Sequence, residues 1–212
     1  MRKHLFMLTT VIVCSLTLNQ RANAQAHDAP KYEAGALFSA ITFTPSAGYR
    51  TEAGFGGRFT FNLTDHVGLE VETIFFPNSG FSAEPRASGR AVQGLFGVKA
   101  GKRWEKFGVF AKARPGLISF SEGRLVSDGS DASGFPLFHR ERATHPAFDV
   151  GGVLEFYPTR RIVTRFDAGD TIIHYGSQTV MFTSPTFGTT TFINPTETRH
   201  NFEFNAGIGI RF

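Results

Sequence analysis

The last thirteen residues of this 212-residue chain alternate in character without a break. His200, Phe202, Phe204, Ala206, Ile208, Ile210 and Phe212 share one parity; Asn201, Glu203, Asn205, Gly207, Gly209 and Arg211 share the other. A period of two places these sets on opposite faces of an extended strand. The same split runs through Phe55, Gly57, Phe59, Phe61, Leu63 against Gly56, Arg58, Thr60, Asn62. It recurs in Val67, Leu69, Val71, Thr73, Phe75 against Gly68, Glu70, Glu72, Ile74, and in Phe148, Val150, Gly152, Leu154, Phe156 against Asp149, Gly151, Val153, Glu155. Weaker alternation covers Ala91–Arg103, Phe107–Phe120 and Ile162–Tyr175, and the weakest covers Tyr32–Phe43. No helical period of useful length competes. The chain therefore reads as all-β with eight strands, most reaching the ~9–11 residues that a tilted strand needs to cross a bilayer.

The joins alternate too. Those at Thr64–His66, Trp104–Lys106 and Pro158–Arg161 are short. Those at Thr44–Thr51, Pro77–Arg90, Ser121–Pro146 and Gly176–Thr198 are longer and rich in Gly, Ser, Thr, Pro and Asp. Strict short–long alternation is what antiparallel strands show between periplasmic turns and extracellular loops.

The charges decide which face is wet. Twelve lie on the faces opposite the apolar ones: Arg58, Glu70, Glu72, Lys99, Lys112, Arg114, Asp149, Glu155, Arg165, Asp167, Glu203 and Arg211. Turned toward lipid, an Arg or Lys at the midplane costs about 2–4 kcal/mol. Turned inward, six bases and six acids can neutralise one another, with the glycines of that face leaving room for them. Of the 24 phenylalanines, twelve then face outward: Phe55, Phe59, Phe61, Phe75, Phe96, Phe107, Phe148, Phe156, Phe166, Phe202, Phe204 and Phe212. The expected architecture is an eight-stranded antiparallel up-and-down transmembrane β-barrel with a plugged polar lumen. A soluble antiparallel sandwich, its charged faces merely solvated, is the competing arrangement.

The first residues read as an address. Arg2-Lys3-His4 precedes an apolar run, Leu5–Leu18, and small residues follow at Ala22-Asn23-Ala24 and Ala24-Gln25-Ala26. This is the layout of a secretory signal peptide, residues 1–24, with cleavage after Ala24 or Ala26. A lipoprotein signal fits poorly, because Cys14 sits mid-run behind Val13. Residues 25–31 form a short lead-in and 32–212 the barrel domain. Net charge is +4, but residues 1–24 take three of the 22 basic residues and none of the 18 acidic ones, leaving 19 against 18. A nearly neutral chain gives no motive for nucleic acid as a partner. The lone cysteine excludes an intramolecular disulfide framework.

Phe59-Thr-Phe-Asn-Leu-Thr-Asp-His-Val-Gly-Leu-Glu-Val-Glu72 and the terminal Gly207-Ile-Gly-Ile-Arg-Phe212 are similar to the small eight-stranded bacterial outer-membrane barrels. That group surrounds the OmpA-, OmpX- and OmpW-like proteins, and the resemblance covers about 32–212. It implies insertion by the outer-membrane assembly machinery, with Gly207, Ile210 and Phe212 as assembly signal. Ala206 stands where a polar residue is more usual. It also implies a bacterial outer-membrane location, among outer-membrane lipid and lipopolysaccharide.

Catalytic chemistry is thinly provided. One barrel enzyme of this kind, a lipid A deacylase, uses His and Ser two residues apart plus a Glu. Here His174 and Ser177 are three apart, with Glu197 downstream, so no catalytic residue is assigned. His139 and His145 share a loop with Asp128, Asp131 and Glu141, but without metal-ligand spacing, and neither metal nor cofactor is expected. The role expected is structural or surface-interactive, with an extracellular ligand bound through the loops; a narrow channel for small or apolar solutes is the alternative.

Overall fold

The structure, a computed structural model, describes residues 30–44, 50–77, 86–133, 135–184 and 188–212. The expected signal peptide and most of the lead-in lie outside the described residues. Ten strands follow in order: β1 (Tyr32–Phe43), β2 (Arg50–Asn62), β3 (Val67–Phe76), β4 (Ala91–Arg103), β5 (Phe107–Ser130), β6 (Pro136–Phe156), β7 (Ile162–Tyr175), β8 (Gln178–Ser184), β9 (Gly188–Asn194) and β10 (Glu197–Arg211). Eight of them close an antiparallel barrel in the order β1-β10-β7-β6-β5-β4-β3-β2, while β8 and β9 form a separate hairpin. Closure leaves no unpaired edge for lipid to desolvate. The seam joins the chain's two ends, with Glu33 opposite Arg211 and Thr42 opposite Phe202.

Two of the three short turns are set by single hydroxyls. Thr64 Oγ1 accepts from the backbone N–H of His66 (3.1 Å) and Val67 (3.0 Å). Thr159 Oγ1 does the same for Arg161 (3.2 Å) and Ile162 (3.1 Å). Each hydroxyl captures donors that the turn withdraws from the ladder.

Two long joins are more ordered than their sequences suggest. Ser121–Pro146, expected as a loop, carries β5 and β6 on as a paired hairpin beyond the barrel wall, with register shifts at Phe120/Arg124 and Ser127/Gly129. Gly176–Thr198 contains the β8–β9 hairpin. Above the lipid both faces of a strand are wet, so the pairing survives while the alternation of hydrophobicity disappears. Asp131 Oδ1 closes the tip of the longer hairpin, accepting from Ser133 N and Phe135 N at 2.9 Å each.

Each of the twelve outward phenylalanines is exposed or half-exposed. Their belt ends in aromatic groups near the short turns. Tyr32 stacks with Phe61 (5.4 Å between centroids) and meets Phe212 (5.8 Å), and Trp104 stacks on Phe107 (4.6 Å). Aromatic girdles of this kind flank the lipid-facing band of membrane barrels. The inward glycines do more than clear space. A Cβ on Gly56 would stand 2.0 Å from the Thr73 carbonyl oxygen, so the wall itself bends too tightly there for a side chain. Gly68 does clear space: its Cβ would approach Lys99 Cε at 3.2 Å.

Candidate functional site: the filled lumen and the extracellular rim

Every one of the twelve expected lumen charges lies inside the barrel, and Arg58, the most exposed, has a side chain only 9% accessible. Ten form one connected network in the half nearer the short turns. Arg165 Nη2 donates to Glu70 (2.9 Å), its Nη1 also meets Glu70, and its Nε donates to Asp167 (2.5 Å). Lys99 pairs with Glu155 and lies 3.8 Å from Glu70. Arg114 donates to Asp149 (2.7 Å) and pairs with Glu72 (2.9 Å). Lys112 lies 3.1 Å from Asp149 and 3.8 Å from Asp167, and Arg58 lies 3.6 Å from both Glu72 and Asp167. Arg211 joins through Glu33 at 3.4 Å.

Glu203 stands apart from this network. Its carboxylate accepts from Thr171 Oγ1 (2.5 Å), Gln93 Nε2 (3.1 Å), Asn205 Nδ2 (3.1 Å) and Ser39 Oγ (3.4 Å), with no cation in ion-pair contact among the described residues. A belt of neutral donors thus takes over from the charges at this level.

Sequence reasoning missed three members. Glu33 bridges Lys99 (3.4 Å) and Arg103 (3.1 Å), and Tyr157 donates to Glu155 (2.8 Å) while accepting from Arg103 Nε (2.9 Å). Arg103 shares the parity of Lys99 and was legible by that signal; Glu33 sits on the strand with the weakest alternation. Tyr157 follows the last alternating residue of β6 and carried no signal.

The expectation of a polar lumen needs correction in the extracellular half. There Ile41, Phe43, Ile74, Phe76, Ile118, Phe120, Ile173 and Tyr175 point inward and bury one another. Phe120 lies 5.7 Å from Phe43 and 6.5 Å from Tyr175 between ring centroids. The cause is plain in the parity: β1, β3, β7 and the barrel portion of β5 each end, toward the long joins, with two large apolar residues on the inward face. No lipid touches that face, so these residues are driven together by their own exclusion from water.

Above this apolar layer the chain caps itself. Arg86, Ala87, Ser88 and Gly89 are buried over the mouth. Arg86 lies over the Tyr175 ring (5.5 Å), donates to the Pro195 carbonyl (2.7 Å) and pairs with Glu197 (2.6 Å). Arg199, on the neighbouring strand β10, approaches the same ring (5.3 Å) and pairs with the same carboxylate (2.7 Å).

The deacylase-like trio is not assembled. His174 faces outward and hydrogen-bonds Thr198 Oγ1 at 2.9 Å, whereas Glu197 is held by Arg86 and Arg199. Adjacent residues on one strand face opposite ways, so Glu197 cannot serve His174. His139 contacts Asp128 (2.7 Å) and Glu141 (3.3 Å) at the exposed hairpin, while His145 lies at the barrel mouth against Tyr175 (4.7 Å). No group of three metal-ligating side chains forms among the described residues.

A closed eight-stranded barrel with a lipid-facing aromatic belt and a filled charged interior is the architecture of the small outer-membrane barrels. One solved structure shares this fold. Neisserial surface protein A aligns with TM-score 0.54 at 14% identity, over 86% of this chain and 97% of its own. The N-terminal β-barrel domain of Pseudomonas aeruginosa OprF aligns with TM-score 0.46 at 12% identity, over 86% and 98%. The attachment invasion locus protein Ail of Yersinia pestis aligns with TM-score 0.42 at 14% identity, over 85% and 96%. At these identities the likeness is one of fold. No family model matches the sequence, and no curated protein matches it.

Proposed function

We propose that this chain resides in the bacterial outer membrane as a closed barrel and acts through its extracellular surface, in adhesion or ligand binding, without passing solute or catalysing a reaction. The observation that carries this reading is the succession of fillings along the barrel axis. A charged network, a belt of neutral hydrogen bonds, an apolar layer and the Arg86 cap follow one another from the short turns to the long joins. An interior of eight strands is just wide enough for side chains to fill it. The hairpins above the wall supply the outward surface, with Phe192 and Ile193 exposed on β9 and Phe135 and Leu137 at the longer tip. Gly207, Ile210 and Phe212 are proposed as the signal read by the assembly machinery, and lipopolysaccharide as the surrounding lipid. The test is a planar-bilayer recording of the purified, folded protein. A silent bilayer is expected, and steady unitary conductance would overturn the closed-lumen reading.

A further inference from the structure

A cavity of about 530 Å³ opens on the extracellular rim, between the base of the β5–β6 hairpin, the end of β7 and the start of β8. Its size falls within the roughly 300–1,000 Å³ usual for small-molecule clefts. Arg124, His145, His174, Ser177 and Gln178 are among its lining residues, and none of the lining residues is acidic. Three of these side chains have polar capacity to spare. Glu141, directly across from Arg124 in the ladder, is engaged with His139 at 3.3 Å, and Arg124 has no ion pair among the described residues. His145 is 92% buried; its ring donates to the Arg86 backbone, which leaves its Nε2 an acceptor without a partner. Gln178 spends its Nε2 on the Gly123 carbonyl (3.2 Å) and leaves its Oε1 buried and unpaired.

An unpaired buried polar atom destabilises the fold unless something satisfies it. Here one such nitrogen and one such oxygen belong to residues that line the same cleft as an unpaired guanidinium. A guanidinium matches a phosphate, to which arginine can donate through two parallel bonds. The Gln178 oxygen and His145 Nε2, both acceptors, demand donors, which a bare phosphate dianion lacks and sugar hydroxyls supply. We infer that this cleft binds a phosphorylated sugar, its phosphate on Arg124 and its hydroxyls on His145 Nε2 and Gln178 Oε1. Such a group occurs free in solution and as the phosphorylated headgroup of outer-leaflet glycolipid. The inference rests on the surface role proposed above only in placing this rim outside the cell. A conducting lumen would overturn the closed barrel and leave the cleft untouched.

Calorimetric titration of the full folded barrel tests it, with glucose 1-phosphate in one arm and bisphosphorylated lipid A bicelles in the other, against bicelles of lipid A stripped of both phosphates. Saturable binding is expected in at least one arm and lost with the phosphates. Arg124→Ala is expected to weaken it ~10-fold or more, the loss of a charged hydrogen bond. His145→Ala should weaken it as well, and Arg90→Ala, an exposed rim arginine that does not line the cleft, should leave it unchanged. Should His145→Ala fail to fold, the exposed Arg124 carries the test alone. Binding confined to the bicelles identifies the lipid headgroup as ligand; binding of glucose 1-phosphate identifies the free sugar phosphate. No binding in either arm, or equal losses in Arg124→Ala and Arg90→Ala, overturns the site.

Discussion

Tyr32 and Phe212 exchange both backbone hydrogen bonds, Tyr32 N to Phe212 O at 2.8 Å and Phe212 N to Tyr32 O at 2.9 Å, so the first strand residue and the last residue of the chain lock the seam. Their rings also meet on the lipid side. The final residue is therefore part of the closure as well as of the proposed assembly signal.

Deleting Phe212 removes that pair of bonds and one ring of the aromatic group around Tyr32. The expected outcome is a large fall in folded protein in the outer membrane, read as heat-modifiable migration in membrane fractions. Phe202→Ala, which truncates an equally exposed ring farther along the same strand (60% against 61%), should assemble nearly as the parent does. Equal yields for the Phe212 deletion and the parent would count against the signal.

Phe96 is the most exposed of the outward phenylalanines, at 64%, and sits midway along β4 between Leu95 and Gly97. Phe96→Arg should destabilise the folded barrel by about 2–4 kcal/mol, the cost of an arginine near the midplane. Urea unfolding in lipid vesicles measures this. A cost near zero would mean that the face is wet, which a soluble sandwich allows and a membrane barrel does not.

The bounds of β1, β4 and β7 were legible in the sequence because one face meets lipid and the other the lumen along their whole length. The same logic put twelve charges on the inward face, where the structure places them, since parity fixes the side before any partner is known; Glu33 and Arg103 share that face and were not read. It could not show that Glu203 would sit among neutral donors while Glu70 met two guanidinium nitrogens, because height along the barrel depends on strand stagger. The apolar upper layer was visible as Ile74 on the charged face of β3, but one residue gave no sign of a complete layer. The cleft was invisible for a different reason. Its lining comes from β5, β6, β7 and β8, and the last of these carries no alternation at all.

His139, at the hairpin beyond the barrel wall, has its basicity raised by its hydrogen bonds to Asp128 and Glu141. A group whose folded value is raised stabilises fully below its ordinary value, ~6.5, and loses that contribution as pH rises through the higher folded value. The hairpin tip should therefore be held more firmly at pH 6 than at pH 8.5. The imidazole proton shifts should give a His139 titration above the ordinary range, and proteolytic nicking of 121–142 should quicken on the alkaline side. His139→Gln should remove this pH dependence while leaving barrel unfolding in urea unchanged. A titration at the ordinary value would sink the idea.

Glu197 holds Arg86 and Arg199 together above Tyr175. Glu197→Gln keeps the shape but removes the charge, leaving two guanidinium groups without their shared anion over the mouth. The cap should loosen, and trypsin should cut after Arg86 faster than in the parent barrel, as followed by mass spectrometry of timed digests. The parent cleavage rate in the variant would show that the Pro195 carbonyl and the Tyr175 ring hold Arg86 by themselves.

Arg165 and Glu70 offer the sharpest test of what the lumen network contributes. Arg165 binds Glu70 through two nitrogens and Asp167 through Nε, and all three side chains are at most 1% exposed. Arg165→Met leaves Glu70 and Asp167 with fewer counter-charges in a space water enters poorly, and should cost ~3–5 kcal/mol of folding stability in urea. Glu70→Gln alone leaves Arg165 with Asp167 as partner and should cost less. The double variant should be more stable than Arg165→Met, since removing both ends of a buried pair leaves fewer orphaned charges. That reversal distinguishes a buried pair from two independent packing contacts, whose losses would add. Simple additivity of the two substitutions would mean that the interior is wet enough to screen its charges, and it would weaken the case for a sealed lumen as well.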